Sequence, residues 1–583
     1  MKSSTDVTLQ LAIGGMTCLD CSTHVQRSLE RVTGVASARV DYRAGRGTVE
    51  FASGASRTPE IERALVAAVE RAGYTASLSS GEGMSHNESA NTARVPASVN
   101  DAVTRSSADY DLMIIGTGGA GVAAAIQAAG MGTKVAIVES GVLGGTCVNV
   151  GCIPSKTLIE AAAHYHRARR GFPGIAPCQP ALDWPAVVAA KDELVRDLRQ
   201  AKYADVLSNF PGLTRIEGRA RLLPSSAGLV RVRVADAEHV ARKVLLAVGT
   251  VPAVPTLPGL DQVDALDSTS AMTLATLPGS LLVLGGGPVG VELGQLFARL
   301  GVQVTIVQRG AHLLPGEDPA VSAVLRASLE VEGIEVHTTT EAVRVESDGE
   351  GVVVHIRQGR LDGQLRADRL LVATGRQPNT HDLGLEDVGV ERSSRGFVRV
   401  DATMRTSNVD IYAAGDVTGG PGYVYVAAAG ARIAAENAVK SLGAAGTSSD
   451  DAREFDLAVV PSVTFTDPQV ASVGLNEAAA RTAGLHVDVS VLDMAQVPRA
   501  LVARDARGLV KIVAESGSGK ILGVQAVAPN AGEFMGEAAL AVRFGLTARD
   551  LSGTLHPYLT WGESMKLAAQ GFSMDISKLS CCA

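Results

Sequence analysis

The sequence has no excess of positive charge: 53 Lys and Arg stand against 61 Asp and Glu, for a formal net charge of −8. That balance gives no electrostatic footing for nucleic acid or for an anionic membrane surface. The sequence also lacks an apolar run long enough to span a bilayer. Its first residues, Met1 to Asp6, lead into an alternating pattern instead of the apolar core of a secretory signal. The expectation is a cytoplasmic protein without a membrane span. Cysteine is scarce, with seven among 583 residues. Six of these form close pairs, Cys18/Cys21, Cys147/Cys152 and Cys581/Cys582, and Cys178 stands apart without a legible role. In a reducing compartment such pairs point to redox or metal chemistry more than to structural crosslinks. What is present is an ordinary globular balance, 46% hydrophobic and 20% charged, with 63 glycines to serve phosphate-binding turns. The length suits about three to five domains.

Residues 1–80 read as a small separate domain. Val7, Leu9, Leu11 and Ile13 alternate as a strand, and Val25, Leu29 and Val32 recur at helical spacing. Val35 to Val40 and Thr48 to Phe51 read as two more strands. Ile61, Leu65 and Ala68 mark a second helix behind Pro59, and Tyr74 to Leu78 a last strand. The order βαββαβ is a ferredoxin-like split unit. At the end of its first strand lies Gly14-Gly15-Met16-Thr17-Cys18-Leu19-Asp20-Cys21. This G-M-T-C-x-x-C resembles the loop of heavy-metal-associated domains. Two thiolates on one loop suit a soft cation of low coordination number. A thioredoxin-like redox site also uses C-x-x-C but needs another fold context. Tetrahedral zinc would need two further ligands, and only His24 is near. Residues 81–108 are rich in Ser, Asn, Gly and Ala and read as a flexible linker.

From Asp109 an α/β region begins. Leu112 to Ile115 reads as a buried strand that runs into Gly116-Thr117-Gly118-Gly119-Ala120-Gly121 and an Ala-rich helix. Glycines at this spacing allow a tight turn and let backbone N–H groups approach a pyrophosphate. The next strand, Val135 to Val138, ends in Glu139, placed to bond a ribose hydroxyl. A second unit repeats the pattern, with Leu281 to Leu284, then Gly285-Gly286-Gly287-Pro288-Val289-Gly290, a helix through Leu300 and a strand Val304 to Val307. Here the strand ends in Gln308-Arg309, and an arginine there pairs with a 2′-phosphate, which favours NADPH over NADH. Ala247-Val248-Gly249 and Ala373-Thr374-Gly375 each close a strand. Just after the first unit comes Thr146 to Lys156, T-C-V-N-V-G-C-I-P-S-K. A cysteine pair there can cycle between dithiol and disulfide and exchange two electrons with a flavin. A helix starting near Cys152, with Pro154 in its first turn, would favour the thiolate. A structural disulfide is the plain alternative, and the position behind a dinucleotide motif argues against it.

These two units, the T-C-V-N-V-G-C-I-P-S-K stretch and the later T-S-N-V-D-I-Y-A-A-G-D resemble the pyridine nucleotide–disulfide oxidoreductases, from about Asp109 to the C-terminus. The resemblance implies two Rossmann-like dinucleotide-binding domains and an α+β dimerisation domain. It divides the chain into residues 109–257 and 377–455 for FAD, 258–376 for NADPH, and 456–583 for dimerisation. It places Gly116, Gly118, Gly119, Ala120, Gly121, Glu139, Gly145 and Thr146 at the FAD, with Asp416 on the ribityl chain. Gly285, Gly287, Gly290, Arg309 and Gly375 fall to NADPH, and Lys156 and Glu292 form the ion pair beside flavin N5. His556-Pro557 resembles the family's acid/base His-Pro, and the nearest following glutamate is Glu563.

Vicinal Cys581 and Cys582 cannot easily bridge and make better sense as a dithiol. This tail, H-P-Y-L-T, the inner cysteine pair and the N-terminal G-M-T-C-x-x-C together resemble the mercuric reductase branch of that family. The branch resemblance implies reduction of Hg(II), the substrate, by a homodimer with active sites shared between subunits. Cys18 and Cys21 would collect the ion from small-molecule or protein thiol carriers, and Cys581 and Cys582 would pass it inward. Cys147 and Cys152 would hold it for reduction, with Cys152 facing the flavin, Cys147 exchanging, and Tyr203 and Tyr558 close by. Two other readings share parts of this pattern. A dihydrolipoyl or glutathione-type disulfide reductase leaves the tail and the N-terminal domain idle, and a metal-trafficking protein with an inactive reductase body predicts little turnover.

Overall fold

A computed structural model describes residues 8–14, 19–41, 45–51, 58–71, 74–78, 108–225, 228–443 and 452–578. The linker reading, except at Ala108, and the readings at Cys18, Cys581 and Cys582 lie outside the described residues. The chain divides into two units, 1–103 and 104–583.

In the first unit, the strands Thr8–Gly14, Val35–Asp41, Arg46–Phe51 and Thr75–Leu78 form one antiparallel sheet. Taken across the sheet, their order is second, third, first, fourth. The helices Leu19–Glu30 and Pro59–Arg71 complete a βαββαβ unit. Alternation in the first strand turns Leu9, Leu11 and Ile13 inward. They bury with Val25 and Leu29 of one helix and Leu65 and Val69 of the other. Cys21 belongs to the first turn of the helix Leu19–Glu30.

The second unit contains two parallel α/β sheets built alike. In the first, Leu213–Glu217, Val135–Glu139, Tyr110–Ile115 and Ala237–Leu246 run parallel in that order, and Ile411–Ala413 joins the last of them. Val230–Val234 and Ala220–Leu223 extend this sheet antiparallel. In the second, Glu335–His337, Gln303–Val307, Ser280–Leu284 and Arg369–Val372 are all parallel. Each glycine motif sits where a central strand turns into a helix, Gly119–Gly130 or Pro288–Arg299.

The close approach at those turns explains the glycines. Gly116 has φ +107°, and a Cβ there would lie 2.4 Å from the Ala247 carbonyl oxygen. Gly285 has φ +112° and the same 2.4 Å relation to Ala373. A Cβ on Gly121 would sit 1.8 Å from the Gly116 oxygen, and one on Gly290 1.9 Å from the Gly285 oxygen. The helix therefore packs directly on the turn that precedes it. Gly121→Ala is expected to destabilise the protein by about 3 kcal/mol in denaturant unfolding, since backbone must move to admit the methyl group. Gly130→Ala, on the same helix with nothing within 4 Å of its added Cβ, is the neutral control.

Toward the C-terminus, Ser462–Thr464, Gln469–Gly474, Ile521–Ala528, Leu509–Glu515 and Val487–Asp493 form a five-stranded antiparallel sheet. The helices Ala531–Arg543 and Glu563–Gln570 pack on it through Phe534, Met535, Ala538, Met565 and Ala568. The apolar pattern extends back to Leu559, but the helix starts only at Glu563. Leu559 has φ +60°, outside the right-handed helical region, and its N–H donates to the Glu563 carboxylate.

Candidate active site

Cys147 lies in the short helix Gly145–Asn149 and Cys152 is the first residue of the helix Cys152–Arg170. Only Val150 and Gly151 separate the two helices. A Cβ on Gly151 would fall 2.9 Å from the Thr146 oxygen and 3.3 Å from the Cys147 Cα, so this turn closes tightly only with glycine. The turn brings the two thiols into hydrogen-bond contact. That bond, with Cys147 donating, holds the Cys152 thiol down to about 7. Burial works against this, and the Lys156 ammonium, one helical turn along the same face, works for it. The same bond, with burial and the Cys152 charge, pushes the Cys147 thiol far up. The reduced pair thus keeps one proton on Cys147 and a thiolate on Cys152, at a helix N-terminus that favours negative charge.

The sign of the pH dependence follows. A lowered thiol pKa means the thiolate is present above about 7 and lost as pH falls through that value. In the reduced protein, ultraviolet thiolate absorbance is expected to titrate with a midpoint about there. Cys147→Ala removes the donated hydrogen bond and should return the midpoint toward the ordinary thiol value of about 8.5. An unmoved midpoint would mean that the bond is not the cause.

Behind the pair, the Lys156 ammonium is 2.6 Å from the Glu292 carboxylate. The Glu292 side chain is 7% exposed, and its other oxygen accepts the Phe465 N–H at 2.8 Å. The Lys156 nitrogen also lies 4.7 Å from the centre of the Phe465 ring. Tyr203 reaches the pair from another side. The helix Trp184–Arg199 widens into a π-helical turn, Gln200–Ala204, and π turns often mark functional positions. Burial raises the Tyr203 phenol, and the nearby Cys147 and Cys152 add to the shift.

The first glycine motif is tied to the cysteine loop. The Thr117 hydroxyl donates to Glu139 and accepts the Gly144 N–H at 3.1 Å. Glu139 also accepts the Thr117 N–H at 3.2 Å and the Gly141 N–H at 2.8 Å. Gly145 has φ +63°, and a Cβ on it would lie 2.5 Å from the Gly118 Cα. A Cβ on Gly118 would meet only the Gly145 Cα, at 3.8 Å, and one on Gly287 would meet nothing within 4 Å. Both residues cap 12-residue helices, so each helix N-terminus opens onto free space that suits a pyrophosphate. In the second motif, Gln308 takes the place of the acid and accepts the Gly286 N–H at 3.0 Å. Arg309, next along, is exposed. Asp416 follows Gly415, which has φ +80°, and accepts from the Thr250 hydroxyl at 3.2 Å. Arg376 bonds that hydroxyl at 2.7 Å and the Thr250 carbonyl at 2.8 Å. These residues fit two dinucleotides, one beside the cysteine pair.

His556 does not take Glu563 as its partner. Its Nε2 lies 2.7 Å from the Glu537 carboxylate and its Nδ1 donates to the Thr554 carbonyl at 2.9 Å. Glu537 is 19 positions earlier, on the helix Ala531–Arg543, so no local spacing announces it. Tyr558 is half exposed, in the turn before the helix Glu563–Gln570. Cys178 is exposed and donates weakly to the Ala168 carbonyl. Sequence reasoning also missed Phe465, the Arg376–Thr250 bracket on Asp416, and the π turn under Tyr203.

Comparison with known proteins agrees with this geometry. Residues 110–431 match the pyridine nucleotide-disulphide oxidoreductase family, residues 460–569 its dimerisation domain, and residues 10–75 the heavy-metal-associated domain. A mercuric reductase of Shigella flexneri is 43% identical over 98% of this chain and 99% of its own. One from Streptomyces lividans is 47% identical over 81% of this chain and 98% of its own. Among solved structures, LpdA from Mycobacterium tuberculosis superposes with a TM-score of 0.70 at 30% identity, over 79% of this chain and 100% of that one. The HOCl-induced flavoprotein disulfide reductase RclA from Escherichia coli, as its Cu(II) complex, gives 0.68 at 30% identity, over 79% and 99%. With two glycine cradles, a polarised cysteine pair beside the first and relatives of this closeness over nearly its whole length, the chain belongs to the mercuric reductase branch of the pyridine nucleotide-disulphide oxidoreductases.

Proposed function

We propose that the protein uses NADPH to reduce Hg(II), held by thiols, to elemental mercury. The observation that carries this reading is the pair of free thiols Cys147 and Cys152, brought together across the Val150–Gly151 turn, with the Lys156–Glu292 ion pair beside them. When bound, FAD and NADPH supply the electron pair that opens a disulfide or reduces a bound cation. The chain's own residues do the rest. Gly116, Gly118, Gly119, Ala120, Gly121, Glu139, Gly145, Thr146 and Asp416 would hold the flavin. Gly285, Gly287, Gly290 and Gly375 would hold the nicotinamide nucleotide, with Arg309 on its 2′-phosphate. Hg(II) is soft and suits two thiolates. It would reach Cys147 and Cys152 by exchange, each new sulfur–mercury bond replacing an old one and the incoming thiol giving up its proton. Two electrons then release the metal and leave both sulfurs as thiolates. Tyr203 would pack against the bound ion. Cys18 and Cys21 would collect Hg(II) from small-molecule or protein thiols. In a homodimer, Tyr558, Cys581 and Cys582 of one subunit would serve the other's cysteine pair.

The assay that tests this is NADPH oxidation by the FAD-loaded protein with Hg(II) and excess thiol, set against oxidised glutathione and lipoamide. Turnover with a disulfide and none with Hg(II) would replace the proposal with a disulfide reductase. The His556–Glu537 pair, a ring positioned by a carboxylate, gives that second reading its one specific support. Nucleotide choice has its own test. Arg309→Ala should raise the KM for NADPH roughly 10- to 100-fold, as expected for one lost charge-assisted phosphate contact, and leave NADH little changed. Equal effects on both would remove Arg309 from the phosphate.

A further inference from the structure

The helix Pro288–Arg299 carries three buried polar side chains, Glu292, Gln295 and Arg299, spaced three and four apart. That spacing puts them in one stripe on one face. Burying three such groups costs free energy unless their polar atoms are satisfied. Here they are satisfied, and by one short run of backbone. Glu292 accepts the Phe465 N–H at 2.8 Å. Gln295 accepts the Asp467 N–H at 2.8 Å and donates to the Asp467 carbonyl at 2.8 Å. Arg299 reaches the Asp467 carboxylate at 2.9 Å and holds Glu332, which caps the C-terminus of the helix Pro319–Val331, at 2.6 Å. Arg507, from the C-terminal sheet region, bonds the other Asp467 carboxylate oxygen at 2.9 Å. The stripe therefore clamps residues 465–467, at the start of the region that matches the dimerisation domain, onto the helix that follows the second glycine motif.

Of the three residues only Glu292 meets Lys156. The clamp nevertheless sets that meeting, because Phe465 both donates to Glu292 and covers the Lys156 ammonium with its ring. We infer that Gln295 and Arg299 are positioning residues for the Lys156–Glu292 pair. Through them, the C-terminal sheet region fixes where that pair stands beside the flavin. This inference rests on the flavin-side role proposed above for the pair, and it is independent of the metal substrate.

The test uses the full-length, FAD-loaded protein, with NADPH alone, so that failure of the Hg(II) reading does not affect it. Gln295→Met is expected to slow flavin reduction by about tenfold, with the KM for NADPH within about twofold, because geometry is lost and not nucleotide binding. Amide hydrogen exchange at Phe465 and Asp467 should quicken in the same variant, with exchange in the sheet strands unchanged. In a Glu292→Gln background, Gln295→Met should add less than about twofold, since both changes act through one carboxylate. A full tenfold addition in that background, or an unchanged rate from Gln295→Met alone, overturns the inference. If Gln295→Met does not fold, Gln295→Glu, which keeps the acceptor for the Asp467 N–H and loses the donor to its carbonyl, goes through the same measurements with the same criteria.

Discussion

Cys152→Ala is expected to lower Hg(II)-dependent NADPH oxidation by more than about 10³-fold, the scale seen when one member of a concerted catalytic group is removed. The flavin should stay bound. The groups that fit it, Gly116, Gly118, Gly121, Glu139 and Asp416, take their geometry from strand ends and from Thr117 and Thr250. None of these contacts passes through the Cys152 sulfur. The variant also lacks a sulfur to accept electrons from the flavin, so NADPH should still reduce the flavin and the electrons should go no further. Cys152 is the first residue of its helix, a position that alanine occupies without strain, so the fold should tolerate the change. A colourless, poorly folded Cys152→Ala protein would point instead to a structural cysteine.

The second large effect is expected at the far end of the chain. Replacing both Cys581 and Cys582 with Ala should cripple turnover when Hg(II) arrives on bulky thiols, while NADPH still reduces the flavin normally. Bulky carriers cannot easily deliver metal to Cys147, which is half buried and hydrogen-bonded to Cys152. A separate dithiol bridges that gap by exchange. If the tail acts on the partner subunit, mixing this variant with one lacking Cys147 and Cys152 should restore about a quarter to a half of the sites, as expected for a symmetric dimer with shared sites. No recovery after proven subunit exchange would mean that the tail serves its own subunit or takes no part.

The parts legible in the sequence are those with a local cause. Gly116 and Gly121 are needed because a strand turns within a few residues into a helix that packs back on the turn, and the same holds for Gly285 and Gly290. Glu139 sits at the end of the adjacent strand for the same reason. The βαββαβ order of the N-terminal unit was readable from alternation and helical spacing, with Leu9, Leu11 and Ile13 as its inner face. The pairing of Lys156 with Glu292 spans 136 positions, so family resemblance, not spacing, suggested it. Glu537 escaped because no pattern links it to His556 across 19 residues. The helix start at Glu563 is not legible from apolarity, because Leu559 suits a helix by composition but has a backbone turned the other way. Phe465 and Arg376 escaped because a backbone N–H aimed at a carboxylate, or an arginine aimed at a threonine, leaves no mark on composition.

The break at Gly151 gives the cysteine pair unequal mechanics. Cys152 is built into a 19-residue helix that also bears Lys156 and packs against the helix bearing Glu292. Cys147 rides on five residues, Gly145–Asn149, joined to that frame by two. The two sulfurs are held by separate pieces of backbone that meet at one glycine turn. A disulfide and a linear sulfur–metal–sulfur array differ in span, and a rigid dithiol could fit only one of them. With its two sulfurs on separate helices, the pair has a gap set by the Val150–Gly151 turn and not by the fixed geometry of one helix.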